Sequence, residues 1–440
     1  MRSLKFLTIL AIILLNFVAA LAQLKYQKNY KKTLEEAAAK QIPVFITIEY
    51  KSVLDPPAEY FSSNFANYRV KHDSPEGNML INKYGLARFP VILFVKPDGS
   101  LILKSEEVKN NKNYFLSYGT EAITRFKGNT GLADYDKLYH EGNHITRAFL
   151  KDYIGLRYKS GIFTNDKLID LYVNLLPADV GNNYEEILFI YRAAPLLFGE
   201  AYSFTQQYRT IVDSLYKREP LQDRIWINTR MINNTLSEAI RTKDYILYDK
   251  VSSFVYKTVA PDHAKIEPQQ SLNRLIFYKG INDTIGFFRQ AQVYYDRYFM
   301  SISLDSIKRD KQIEPTSNSS NELVFMERKG HLSVGNYHDK DATNTAFILN
   351  NAAWDFYTYG TKNLQFLYKA VMWSQRSIDI DPKATHYDTL AHLLYRIGLF
   401  DAALLYQEKA IQLAKKKKEL SKAEINGFRE EAKKMKSRSL

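Results

Sequence analysis

The stretch VFITIEYKSVLDPPAEYF, Val44 to Phe61, decides how the first part of this 440-residue chain is read. Its opening VFITIEY is short, apolar and β-branched, the composition of a strand buried inside a sheet. Asp55-Pro56-Pro57 then breaks the pattern. Before it, Lys25 to Ala39 places Tyr26, Tyr30, Leu34 and Ala37 or Ala38 on one face of an amphipathic helix. After it, ANYRVKHD suggests a second strand, and GNMLINKYGLARFPVILFVKPDGSLIL reads as helix, loop, strand, turn, strand. Pro97-Asp98-Gly99 supplies the turn chemistry between the last two apolar runs.

That order of elements, with KYGLARFPVILFVKPDGSLI at its end, resembles a thioredoxin-like domain over about residues 25 to 108. The resemblance implies a cis-proline at Pro90, opening the strand that faces the redox loop, with the backbone before it pairing with bound peptide. Laid on the family's Trp-Cys-x-x-Cys loop, this sequence has Ser52 at the tryptophan and Val53 and Pro56 where the two thiols stand. The stretch from Pro57 to Val70 is also shorter than the helix that follows the motif in the family.

The chain contains no cysteine at all. Disulfides, thiolate nucleophiles, Cys-ligated metals and dithiol exchange are thereby excluded. With 45% hydrophobic and 14% aromatic residues there is ample material for buried cores without covalent staples.

Arg2 and Lys5 precede the apolar LTILAIILLNFVAALA, and Ala20-Leu21-Ala22 offers small residues where a signal peptidase cuts. Residues 1–22 are therefore expected to be a signal peptide, the rival being an uncleaved anchor of just spanning length. The expected destination is the periplasm or the exterior, with no transmembrane span left after cleavage. The net charge of +13 falls to about +11 without Arg2 and Lys5. Basic residues are spread along the chain apart from the run AKKKKELSK, and no RNP motif, zinc finger or basic region with heptads accompanies them. A solvated basic surface fits this better than specific nucleic-acid binding; loose membrane or nucleic-acid association through the run is the remaining charged reading.

Beyond about residue 110 the apolar residues recur at helical spacing. LYHEGNHITRAFLKDYIGL and RYKSGIFTNDKLIDLYVNL align at an offset of 19, pairing Tyr139 with Tyr158, Gly142 with Gly161, Leu150 with Ile169 and Tyr153 with Tyr172. Each unit supplies a helix and a glycine turn. Near the C-terminus KAVMWSQRSIDIDP and AALLYQEKAIQLA align at an offset of 33, with Ala370 on Ala403, Trp373 on Tyr406, Ser377 on Ala410, Ile378 on Ile411 and Ile380 on Leu413. Residues 346 to 414 thus resemble two tetratricopeptide-like units, capped by the basic helix after them. Gln312 to Leu323, polar and poor in apolar residues, reads as a disordered link.

The expected organisation is a degenerate α/β thioredoxin-like domain at 23–110, an α-helical repeat region at 111–311, a linker at 312–345 and tetratricopeptide-like helices at 346–440. The pairing resembles an exported thioredoxin-family group of Gram-negative bacteria, whose members commonly retain the cysteines missing here.

HEGNH, at His140, Glu141 and His144, formally matches the zinc-protease pattern H-E-x-x-H, which needs an unbroken helix between its histidines. Gly142-Asn143 is a turn signal at that point, and the sister repeat carries YKSGIF with no metal ligand. No metal and no cofactor are expected. His386 and His392 lie six apart, off any shared helical face. No G-x-S-x-G, P-loop or dinucleotide fingerprint occurs, and Asn318-Ser319-Ser320 is a glycosylation sequon only in a eukaryotic host. The leading expectation is an exported, non-catalytic scaffold that binds a protein or peptide partner of the cell envelope. Phe89-Pro90 and the Val53 to Pro56 loop would form its groove, or else simply pack. The alternative is an envelope enzyme, redox by descent or a hydrolase using carboxylates of the helical region.

Overall fold

The computed structural model describes residues 24–50, 53–142, 145–177, 180–259, 263–310, 323–328, 331–336, 342–417 and 420–440. The expected signal peptide, Ser52, His144 and Gln312 to Glu322 lie outside them. The chain divides into two compact units, one up to Asn234 and one from Thr235.

In the first unit, α1 (Tyr30–Lys40) is followed by β1 (Val44–Glu49), α2 (Ala58–Asn64), β2 (Ala66–Lys71), α3 (Pro75–Tyr84), β3 (Val91–Val95) and β4 (Leu101–Ser105). The four strands form one mixed sheet in the order β2-β1-β3-β4. β1 runs parallel to β2, with Val44 opposite Ala66, and antiparallel to β3, with Ile48 opposite Val91; β3 and β4 are antiparallel. Every residue of β1 is buried because both faces of the sheet are covered. Alternation divides its side chains: Val44, Ile46 and Ile48 join Tyr30 and Ala37 of α1 and Leu80 of α3. On the opposite face Phe45 meets Phe61 of α2 at 4.3 Å between ring centroids and Phe94 of β3 at 5.1 Å. Phe115, from α4 (Lys112–Gly128), closes that aromatic layer against Phe61.

The first helix starts five residues later than its apolar spacing suggests. Asn29 caps it by accepting the Lys32 N–H at 2.9 Å, and residues before the cap run extended beside β2, where the Gln27 N–H meets Asn67 O at 2.8 Å. Tyr26 accordingly leaves the helical face and lies under Arg69. The β3–β4 turn forms as its sequence implies, with Gly99 at φ +80° and Lys96 N–H bonded to Ser100 O at 2.8 Å.

One glycine fixes how α3 meets the sheet. A Cβ on buried Gly77 would stand 2.1 Å from Lys71 O and 3.0 Å from His72 O, both backbone atoms at the end of β2. Gly77→Ala is expected to cost about 1–3 kcal/mol, read as a lower urea midpoint; an unchanged midpoint would show that α3 can slide away freely.

The chain then continues through α5 (Leu132–Glu141), α6 (Arg147–Lys159), α7 (Asp166–Asn174), α8 (Tyr184–Arg192), α9 (Glu200–Gln206), α10 (Arg209–Arg218) and α11 (Leu221–Thr242). The 19-residue repeat has a structural counterpart: Gly142 and Gly161 end α5 and α6 in left-handed turns, at φ +70° and +74°. Leu150, Ile169, Tyr153 and Tyr172 are all buried. The second matched pair of tyrosines bonds carboxylates of neighbouring helices, Tyr153 to Asp136 and Tyr172 to Glu186.

The second unit comprises the end of α11 with α12 (Tyr245–Val259), α13 (His263–Gly280), α14 (Thr284–Tyr295), a π-helical turn at Asp296–Met300 and α15 (Leu304–Asp310). Within the 312–345 span, β5 (Leu323–Arg328) and β6 (His331–Asn336) pair as an antiparallel hairpin that sequence reading did not anticipate. Then come α16 (Ala342–Thr358), α17 (Leu364–Ile380), α18 (Ala384–Arg396), α19 (Phe400–Lys417) and α20 (Lys422–Lys436). The small residues picked out by the 33-residue offset, Ala370, Ser377, Ala403 and Ala410, have no exposed surface, so neighbouring helices close on them directly. No helix among the described residues is long and apolar enough to cross a membrane.

Candidate functional site

Parallel pairing of β1 with β2 and antiparallel pairing with β3 bring three chain segments to one edge of the sheet: the loop after β1, the residue after β2 and the loop before β3. Tyr50, His72 and Phe89 meet there. The Tyr50 ring stands edge-on to His72 at 4.7 Å and 84°, and His72 leans on Phe89 at 5.6 Å. The Phe89-Pro90 bond is cis. Tyr50 is 54% exposed and Val53 64% exposed, whereas Leu54 and Pro56 are buried. Of the two positions that the sequence resemblance sets on the family's thiols, Val53 thus faces solvent and Pro56 is buried.

Two carboxylates hold the loops in place. Glu49, 8% exposed at the end of β1, accepts the Leu54 N–H at 2.9 Å. Its Oε1 lies 3.2 Å from Arg69 Nε, near enough for charge pairing though not aligned for a hydrogen bond. Arg69 Nη2 donates to Leu54 O at 2.8 Å and to the Tyr26 hydroxyl at 2.7 Å, with the guanidinium over the Tyr26 ring at 4.2 Å. Burial pushes the Tyr26 phenol up to about 12, against the opposing pull of Arg69. Asn110 adds a third tie, accepting the Asp55 N–H at 3.0 Å.

The loop before β3 is held by Glu106. Its Oε2 accepts the N–H groups of Ala87 and Arg88, each at 2.9 Å, and its Oε1 receives Lys104 Nζ at 2.6 Å. Lys104 is 5% exposed and also points at Gly85 O, 3.3 Å away. Phe89 is therefore presented by backbone whose preceding amides are already satisfied. Sequence reading picked out Val53, Pro56, Phe89 and Pro90 but not these two locks. The available signal was a charge ending or interrupting an apolar strand run, Glu49 in VFITIE and Lys104 in LILKS.

The other candidates look different. Helix α5 ends at Glu141, and Gly142 turns the chain left-handed directly after it, so no continuous helix carries His140 on toward position 144. The exposed His140 ring bonds its own helix through Asp136 O at 2.6 Å. In the helical region of the first unit, Asp152 is bound by Arg125 and Tyr135, Glu121 by Arg125 and Lys159, and Glu186 by Lys151 and Tyr172. Ion pairs and tyrosine bonds from Arg125 and Tyr135 hold the Asp152 carboxyl below its usual range, against the opposing effect of burial, which is the largest single influence. These carboxylates work as ties between helices. His386 and His392 are both buried, and burial lowers the His386 imidazole from its ordinary value.

The chain matches no protein-family model and no curated protein sequence.

Proposed function

We propose that this is an exported, non-catalytic scaffold whose thioredoxin-like domain binds an extended protein or peptide segment at the Tyr50–Val53–Phe89 edge and is followed along the chain by a helical-repeat region. Support for the domain reading comes from the mixed sheet order β2-β1-β3-β4, with β1 paired parallel to β2 and antiparallel to β3. The observation that carries the binding reading is the exposure of Tyr50 and Val53 on the loop that Glu49 ties at Leu54, beside Phe89 on the loop that Glu106 ties at Ala87 and Arg88. Exposed apolar side chains next to tied backbone such as that before Phe89 suit recognition, since little ordering is left there for the ligand to impose.

Chemistry at this edge is restricted by residue type. Valine and proline supply no nucleophile, and no thiol exists elsewhere in the chain to replace them. Recognition would use pockets beside Phe89-Pro90 for alternate side chains of a strand-like ligand.

The test is retention of an array of extended envelope-derived peptides. Wild type should hold apolar sequences, and Phe89→Ser should weaken that binding by about tenfold, the scale of a moderate hot spot. Equal retention by both proteins, or none by either, would remove this edge from consideration.

A further inference from the structure

The C-terminal helix α20 sits on the second unit through a buried polar cluster unrelated to the proposed groove. His392, on α18, is 4% exposed. Its Nδ1 lies 2.8 Å from Asp388 O one turn earlier, so a neutral ring keeps its proton on Nδ1 and turns the Nε2 lone pair outward. What that lone pair faces is Glu431 of α20, with Oε2 at 3.6 Å. A neutral imidazole and a carboxylate here oppose two acceptors with no hydrogen between them.

Aromatic and polar side chains surround the imidazole half of this contact. Trp354 and Tyr357 of α16 stand edge-on to the imidazole at 5.4 and 5.1 Å. Gln407 of α19 donates to Asp388 Oδ1 at 2.7 Å and to Phe428 O of α20 at 3.3 Å. The charged and titratable neighbours are Asp388, with Oδ2 at 3.7 Å from Nδ1; Glu431, itself paired with Lys434 at 3.0 Å; and Tyr357, beneath Arg396 at 3.9 Å. Nearer the chain end, Met435 is 2% exposed against Leu394, Ala391 and Ala403, and the Leu440 N–H reaches the Tyr395 hydroxyl at 3.2 Å.

We infer that protonation of His392 tightens the seat of α20, making the C-terminal helix a pH-dependent latch. A proton on Nε2 converts the opposed acceptors into a charge-assisted N–H···O contact with Glu431. Acid therefore closes the latch. Without that proton the contact is lost, and α20 is held by its apolar end, by Gln407 and by the Leu440–Tyr395 bond beyond it. Asp388 acts in the same sense: burial, the largest influence, raises its carboxyl above the ordinary range, although His392 and Gln407 pull it down. A carboxyl raised by folding weakens the fold as pH climbs through its titration.

Hydrogen exchange of the α20 amides in the full chain, normalised to each amide's intrinsic rate, tests this between about pH 5 and pH 8. Opening should be about fivefold more frequent at the alkaline end, the size of one partly buried ion contact. That slope should shrink by more than half in His392→Gln and in Glu431→Gln, leaving only the part Asp388 contributes; the Glu431 carboxylate is 29% exposed and can be altered with the helices intact. A flat wild-type profile overturns the latch, as does a slope undiminished in both variants. Should His392→Gln loosen α16 through α19 as a whole, the Glu431→Gln profile decides alone: a reduced slope supports the latch and an undiminished slope rejects it.

Discussion

Replacing Glu106 by alanine lowers the stability of the α/β domain by about 3 kcal/mol, the lower end of the cost of removing one partner from a buried ion pair, since only the lysine is buried. Three losses combine in that figure. Lys104, 5% exposed, keeps its charge with only Gly85 O at 3.3 Å to meet it. The Ala87 and Arg88 N–H groups lose the oxygen both share at 2.9 Å. Glu106→Gln retains an acceptor for those two amides while leaving the lysine unpaired, so it should fall between wild type and alanine. Adding Lys104→Met to Glu106→Gln removes the stranded charge and should restore most of the loss. Urea denaturation of the four proteins reads the series; a drop below about 1 kcal/mol for Glu106→Ala would mean that the loop is held by something else.

Trp373→Ala should cost about 3–5 kcal/mol in the second unit, as expected for a large aromatic deleted from a packed core. The indole has no exposed surface. It packs against Tyr295 at 5.2 Å and Phe356 at 5.0 Å, and its Nε1–H is donated to Asp296 Oδ1 at 2.9 Å. Asp296 opens the π-helical turn and also receives Lys369 Nζ at 2.6 Å. Trp373→Phe keeps much of the packing and leaves Asp296 with its lysine, so about 1–2 kcal/mol should suffice for that change. If the phenylalanine variant lost as much as the alanine one, the indole N–H rather than ring volume would be what secures the turn.

Sequence alone revealed those parts of the fold in which a local pattern and a tertiary environment coincide. VFITI is apolar apart from Thr47 because β1 is covered on both faces, and the 19-residue spacing is visible because Gly142 and Gly161 end successive helices in the same left-handed turn. Residues 25–29 misled because Tyr26 falls in phase with the helix, while the stop is written only in Asn29, whose capping role depends on where the chain turns. The β5–β6 hairpin escaped because its strands follow a polar stretch and lack a strong turn dipeptide.

At the candidate site, Val53, Pro56, Phe89 and Pro90 were legible as positions along the chain. The ties that fix them were not. Glu49 reaches Arg69 and Glu106 reaches Ala87 and Arg88 across the sheet edge, and nothing local in EYKSVL or KSEEV announces such partners. His392 was visible but its value was not, since Glu431 approaches it from a helix 39 residues farther on.

The satisfied amides before Phe89 carry a thermodynamic corollary. Under the proposed binding, a ligand docking beside Phe89 would cost little conformational entropy in the loop before β3, so its association should be fast, with a modest heat-capacity change set by the contact area alone. Loosening either carboxylate tie would enlarge that heat-capacity change, because ordering the loop would then become part of the docking event.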